Sequence, residues 1–151
     1  MNLGNEHIVK FLSESKTALF TTISADSYLD SRIIGPFVND NLVVYIFTLC
    51  NSNKIDQMSH NSHVSLYVQN VYENIKNHKS LLINGTASKV VSVEETMMVK
   101  TMMEVRCKSY KEWIDKDGWV KWSIIKISPE TVKFVDNSQS NKLLILKLND
   151  N

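Results

Sequence analysis

Residues 42–60 read LVVYIFTLCNSNKIDQMSH. A run of apolar and β-branched residues stops at Thr48, Cys50, Asn51, Ser52 and Asn53, and Lys54 then opens a segment with helical spacing. The first half has the composition of a strand buried on both faces. The second half begins like a helix, with Ser52 and Asn53 as caps. A helix start presents unpaired N–H groups and the positive end of the macrodipole, and so attracts anions. Lys54 in the first turn has the wrong sign for that dipole unless something negative sits beside it. Two readings follow: an ordinary cap with Lys54 in water, or a phosphate pocket built on Thr48, Ser52, Asn53 and Lys54.

The residues upstream strengthen the second reading. ALFTTI (18–23) is β-branched and aromatic, hence a strand, and SADS (24–27) has turn chemistry. A second strand is expected from about 28 to 38. Gly35-Pro36 interrupts it at a bulge or sheet edge, since proline cannot donate to a ladder. Asn39–Asp40–Asn41 reads as a hairpin turn into 42–49. A hairpin about that turn sets Arg32 opposite a residue near Thr48. Guanidinium for a forked contact and ammonium as a point charge would then meet near one helix start. The plain alternative pairs Arg32 with Asp30 or Asp26.

Downstream, 53–60 is a short helix, and 64–71 and 80–92 are strands, with Gly85 a bulge. Ser92 and Glu95 form a capping box for a helix over about 93–112, where Met97, Met98, Met102 and Val105 recur at helical spacing. Residues 115–118 read as a turn. Strands are expected at 120–128 and 131–136, with Pro129 between them, and at 142–148. Residues 5–14 place Ile8, Val9, Phe11 and Leu12 on one helical face. Six or more strands with one long late helix predict a mainly β fold, an antiparallel barrel with peripheral helices. No repeat or linker divides the chain, so 1–151 reads as one domain.

Composition limits the function classes. A net charge of +1 over 151 residues gives no bulk electrostatic case for nucleic acid, so any anion site must be local. No run of eighteen apolar residues occurs, and the first twenty residues lack the apolar core of a signal peptide; no membrane role is expected. The two cysteines, Cys50 and Cys107, stand far apart, and a cytoplasmic protein with reduced thiols is expected. Cys50 reads as a small buried residue. His60 and His63 read as solvated loop histidines rather than a metal site. Met97, Met98, Met102 and Met103 suit core or dimer packing. Trp113, Trp119 and Trp122 suit packing too, with Trp119 and Trp122 as candidates for an open face of the site. Neither a Ser/His/Asp triad nor a phosphate-binding glycine loop can be assembled.

The order ALFTTIS…DSRIIGPFV…LVVYIFTLCNSNKIDQMSHNSHVSLYV resembles the FMN-binding split-barrel superfamily of pyridoxamine 5'-phosphate oxidase, above all its general-stress-protein branch. The markers are an arginine in the second strand, an aromatic-Thr pair ending the third, a Ser-x-Lys helix start and an N-x-x-V-x-L strand after it. The resemblance covers about 18–91, and the strands at 120–136 also fit it. It implies an antiparallel six-stranded split β-barrel and a homodimer with FMN in the groove between protomers. Arg32, Ser52, Asn53 and Lys54 would surround the phosphate. Ile33, Ile34, Gly35 and Phe37 belong to the segment along the flavin ring. Phe47 and Thr48 are the aromatic-Thr pair, and Ser80 would reach the site of the other subunit.

Departures from the family pattern shape the expected function. Phe37 stands where the oxidase has a substrate-binding lysine, Asn53 replaces a frequent arginine, and Val135 an aromatic. The C-terminal Arg-x-His motif is absent. The expectation is a flavin-dependent oxidoreductase of an unidentified small molecule, not a true pyridoxamine phosphate oxidase. No side chain is assigned as acid or base. A deazaflavin-dependent reductase, a non-catalytic flavin- or haem-binding sensor, store or scavenger, and a scaffold with an empty groove stay open.

Overall fold

A computed structural model describes residues 5–140 and 142–148 of the chain; the side chains of Trp113, Asp117 and Trp119 fall outside the description. In chain order the elements are α1 (Glu6–Glu14), β1 (Ala18–Ile23), β2 (Leu29–Ile34), β3 (Phe37–Asp40) and β4 (Val43–Leu49). There follow α2 (Asn53–His60), β5 (His63–Gln69), β6 (Lys79–Lys89), α3 (Val93–Arg106), α4 (Lys108–Asp117), β7 (Trp122–Asp136) and β8 (Leu143–Lys147). Every strand pairing is antiparallel, in the order β2-β1-β5-β6-β7-β4-β3, with β8 added to β7.

The two ends of that order, β2 and β3, are consecutive in sequence and meet at the cis Gly35–Pro36 peptide. Counted as one kinked strand, 29–40 closes six strands into a barrel that is split where Gly35-Pro36 breaks the ladder. At the break the backbone runs close to β1, and a Cβ on Gly35 would sit 2.8 Å from the Lys16 carbonyl oxygen. The expected six-stranded split barrel is therefore present, with β8 as an extra edge.

Period-two alternation sorts the side chains. Inside the barrel lie Phe20, Phe37, Val44, Ile46, Leu66, Leu81, Ile83, Ile127 and Val132. Ile8 and Leu12 of α1 also bury in this core, and so does Met58 of α2. Outside, α3 and α4 cover Val38, Tyr45 and Ile124 with Val99, Met103, Tyr110 and Ile114.

Several local expectations need correction. The hairpin turn is Asn41–Leu42, with Asn41 at φ +52°, which asparagine tolerates. Phe37 thus faces Ile46 and Asp40 faces Val43, while Arg32 pairs across to Phe20 of β1 instead of to Thr48. The helix expected over 93–112 breaks at Cys107, whose backbone is extended (φ −140°, ψ 96°), and α4 runs on until Gly118 takes φ +72°. Residues 122–136 form one strand; Pro129 is tolerated because it stands opposite Gly85, at the register shift expected there. The capping box is half made. Ser92 Oγ accepts from the Glu95 N–H, but the Glu95 carboxylate turns to Tyr45 and Lys126.

Candidate functional site

The site lies where α2 crosses the mouth of the barrel between the end of β4 and the β1–β2 hairpin. Thr48, at the end of β4, is buried, and its hydroxyl lies 3.0 Å from that of Ser52. Ser52 occupies the N-cap position and its carbonyl accepts from the Ile55 N–H, but its side chain makes no cap bond, so the ordinary-cap reading of that side chain fails. Lys54 Nζ donates to Thr48 Oγ1 at 2.8 Å. No carboxylate among the described residues pairs with it. Burial, and then the charge of Arg32, depress its ammonium below the ordinary lysine pKa. A half-buried cation beside a second cation is costly, and a bound anion would relieve that cost.

Arg32 reaches the same place by a route the hairpin argument did not foresee. Its side chain points toward α2, where Gln57 stands one turn beyond Lys54. Arg32 Nη1 donates to Thr22 Oγ1 at 2.6 Å, and Nη2 donates to Gln57 Oε1 at 3.0 Å. Nη2 also pairs with Asp30 Oδ2 at 2.7 Å, so the plain alternative for Arg32 holds as well. Gln57 Nε2 donates to Asp30 Oδ2 at 2.9 Å, and this hydrogen bond, with the charge of Arg32, holds the Asp30 carboxyl below its ordinary pKa. The hydroxyl of fully buried Thr22 donates to Gln57 Oε1 at 2.5 Å.

Arg32, Thr48, Ser52 and Lys54 are thus gathered by one short helix, with exposed Asn53 at its start. Ile33 and Ile34 point to opposite sides of β2, Ile33 67% exposed and Ile34 packed on the core. Phe37 is fully buried in the barrel under the Arg106 guanidinium, 5.5 Å from its ring. Phe47 points away from Thr48 to stack edge-on against Tyr110 at 4.8 Å. Ser80 is not brought to this site within the chain. It lies between Gln69 and Val135 in the sheet, beside a row of side chains on the outer face.

Sequence reading missed Thr22 and Gln57. The only signal was the three-residue spacing of Lys54 and Gln57, which puts both on one helix face. Trp122 packs with Tyr110 under α3 and α4 rather than lining the site, and the Trp119 side chain is outside the described residues. Cys50 is exposed rather than buried, its Sγ 3.1 Å from Ser123 Oγ. His60 pairs with Asp56, and His63 bonds Asn61; among the described residues no three His, Cys, Asp or Glu side chains gather as a metal site.

A sequence profile for pyridoxamine 5'-phosphate oxidase matches residues 5–136. The chain belongs to the pyridoxamine 5'-phosphate oxidase family. No curated protein matches it. Among solved structures, general stress protein 26 of Bacillus anthracis is similar over 94% of this chain and 97% of its own (TM-score 0.69, 20% identity). HutZ, the haem storage protein of Vibrio cholerae, is similar over 86% and 92% (TM-score 0.69, 19% identity). The conserved hypothetical protein Rv2991 of Mycobacterium tuberculosis is similar over 89% and 86% (TM-score 0.76, 18% identity). At these identities the likeness concerns the fold, and the family's split barrel is the fold described above. Among the described residues no helix is long and apolar enough to cross a membrane.

Proposed function

We propose that the chain binds FMN through Arg32, Thr48, Ser52 and Lys54 and acts as a flavin-dependent oxidoreductase of a small molecule. One observation carries the reading: Lys54 is half-buried, held by Thr48 and without a carboxylate partner among the described residues, beside the second cation of Arg32. That donor set fits a phosphate group. The backbone of 33–37, which the family runs along the ring, follows directly from Arg32. When bound, FMN would supply the redox chemistry, and the protein would position it and exclude water. Buried Phe37, held in the core under Arg106, offers no cation to a substrate phosphate, which argues against pyridoxamine phosphate as substrate.

In this reading the flavin groove is shared in a homodimer. Pairing aligns Ile33, Leu19, Tyr67, Leu82, Lys133 and Ile145 in one row across six strands, on a face where Ile33, Leu19 and Ile145 are exposed. Ser80 stands in the next row but is buried within its own chain at 6% exposure, so a reach into a partner's site would need its surroundings to open.

A second reading, haem binding or storage, is favoured by a cleft of about 1600 Å³ beside α1. Phe11, Phe134 and His7 meet edge to face there, at 5.4 and 5.5 Å, and Lys16, Lys79 and Lys142 stand around them. The absorbance spectrum of the purified protein, before and after FMN or hemin and desalting, separates the two. Flavin bands that co-elute with protein support the first reading, and a protein-bound Soret band without them replaces it with the second. Arg32→Ala with Lys54→Ala is expected to leave the fold intact and weaken FMN by more than ~100-fold, since charge-assisted bonds contribute about 1.5–3 kcal/mol each. Unchanged affinity in that variant would overturn the phosphate assignment.

A further inference from the structure

Arg32 is already engaged by its own chain. Nη2 donates to Gln57 Oε1 and lies 2.7 Å from Asp30 Oδ2, and Nη1 donates to Thr22 Oγ1. Both terminal nitrogens, which would grip a phosphate in two parallel bonds, are therefore engaged within the chain. Asp30 acts twice, directly on Arg32 and through Gln57 Nε2. It also cancels one of the two positive charges. The charged groups of the network are Asp30 and Arg32 on β2 and Lys54 on α2, for a net charge of +1. Thr22 of β1 and Thr48 of β4 add hydroxyls only. Asp56, also on α2, is exposed and pairs with His60.

We propose that Asp30 is a specificity-determining residue: with Gln57 it holds Arg32 back from the bound anion and sets how strongly the site prefers a doubly charged phosphate. The proposal rests on the flavin reading, because it concerns the phosphate end of that site. In the native chain Lys54 is the principal ligand and Arg32 a restrained second cation. A phosphate monoester passes from one negative charge to two around pH 6. A site of net +1 gains little from the second charge, and a site freed of Asp30 gains more. Asp30 itself stays ionised through that range, because the Gln57 hydrogen bond and Arg32 keep its pKa low.

Two near-isosteric changes act in opposite directions. Asp30→Asn is expected to tighten FMN about five- to tenfold, the effect of one charge at short range in a partly solvated site. Gln57→Glu, which adds a carboxylate at the same point, is expected to weaken FMN by a similar factor. Riboflavin, which lacks the phosphate, should bind all three proteins alike. The difference in FMN affinity between pH 5.5 and 7.5 should be larger in Asp30→Asn than in the native protein. Titrations by flavin fluorescence, with thermal melts as a folding control, measure each of these. A folded Asp30→Asn protein with unchanged or weaker FMN binding, or riboflavin shifting in parallel, would overturn the proposal while leaving the flavin site standing. If neither the native protein nor Asp30→Asn retains FMN, both readings fall.

Discussion

At the scale of single residues, the fold depends on positions where a side chain has no room. Gly85 is the clearest. A Cβ there would lie 2.0 Å from the Ser128 carbonyl oxygen and 3.0 Å from the Pro129 Cα, both of them backbone atoms that cannot swing aside. Pro129 has no N–H to give the ladder, and the register shift beside Gly85 accommodates it. Gly85→Ala is therefore expected to lower stability by about 1–3 kcal/mol, the cost of overpacking, read as a shift in denaturant midpoint. An alanine variant as stable as the native chain would show that β6 and β7 can part there at no cost. The glycine was legible in the sequence as a bulge. The closeness of the opposite strand was not, because it depends on a partner about 45 residues away.

At the scale of elements, α3 is tied to the sheet by one carboxylate. Glu95 Oε1 accepts from the buried Tyr45 hydroxyl and from Lys126 Nζ, each at 2.8 Å. The Lys126 hydrogen bond, then that of Tyr45, hold Glu95 below the ordinary carboxylate pKa, while burial and Glu95 push the Tyr45 phenol up. Glu95→Ala leaves the Tyr45 hydroxyl without that partner and is expected to cost about 1–2 kcal/mol near neutral pH. The sign with pH follows from the lowered pKa. The contribution is complete above the unfolded value of about 4.3 and fades as pH falls through the folded one. Native and variant melting temperatures should therefore converge in acid; a gap that persisted there would mean that packing, not the carboxylate, holds α3. The spacing of Ser92 and Glu95 suggested only a local cap. A strand residue 50 positions earlier competes for the same carboxylate, and local spacing holds no information about that competitor.

At the scale of the whole molecule, the partly exposed sheet face is the largest unresolved demand. Ile145 is 50% exposed and Ile33 67%, and they end a row that also holds Leu19, Tyr67 and Leu82, with Lys133 between Leu82 and Ile145. The stretch from Ile33 to Leu82 is apolar surface of a kind that favours association. Light scattering is expected to give a dimer mass for the native chain and a monomer for Leu82→Lys, with FMN affinity falling along with it. A native monomer that binds FMN tightly would separate the cofactor site from any second copy.

What the sequence determined by itself was local and periodic. Alternation placed the strands, an apolar stripe placed α1, cap residues placed α2, and Gly35-Pro36 and Gly85 marked where ladders break. The cluster at 48–54 identified one end of the candidate site, since strand end, cap and lysine are neighbours along the chain. The tertiary structure decided how Arg32 arrives there. The hairpin register had set it against Thr48, but closure of the barrel pairs β2 with β1, and α2 then bridges Arg32 and Lys54 through Gln57. The physical reason is that a strand's partners are chosen by burial over the whole sheet, whereas its own sequence records only which face is apolar.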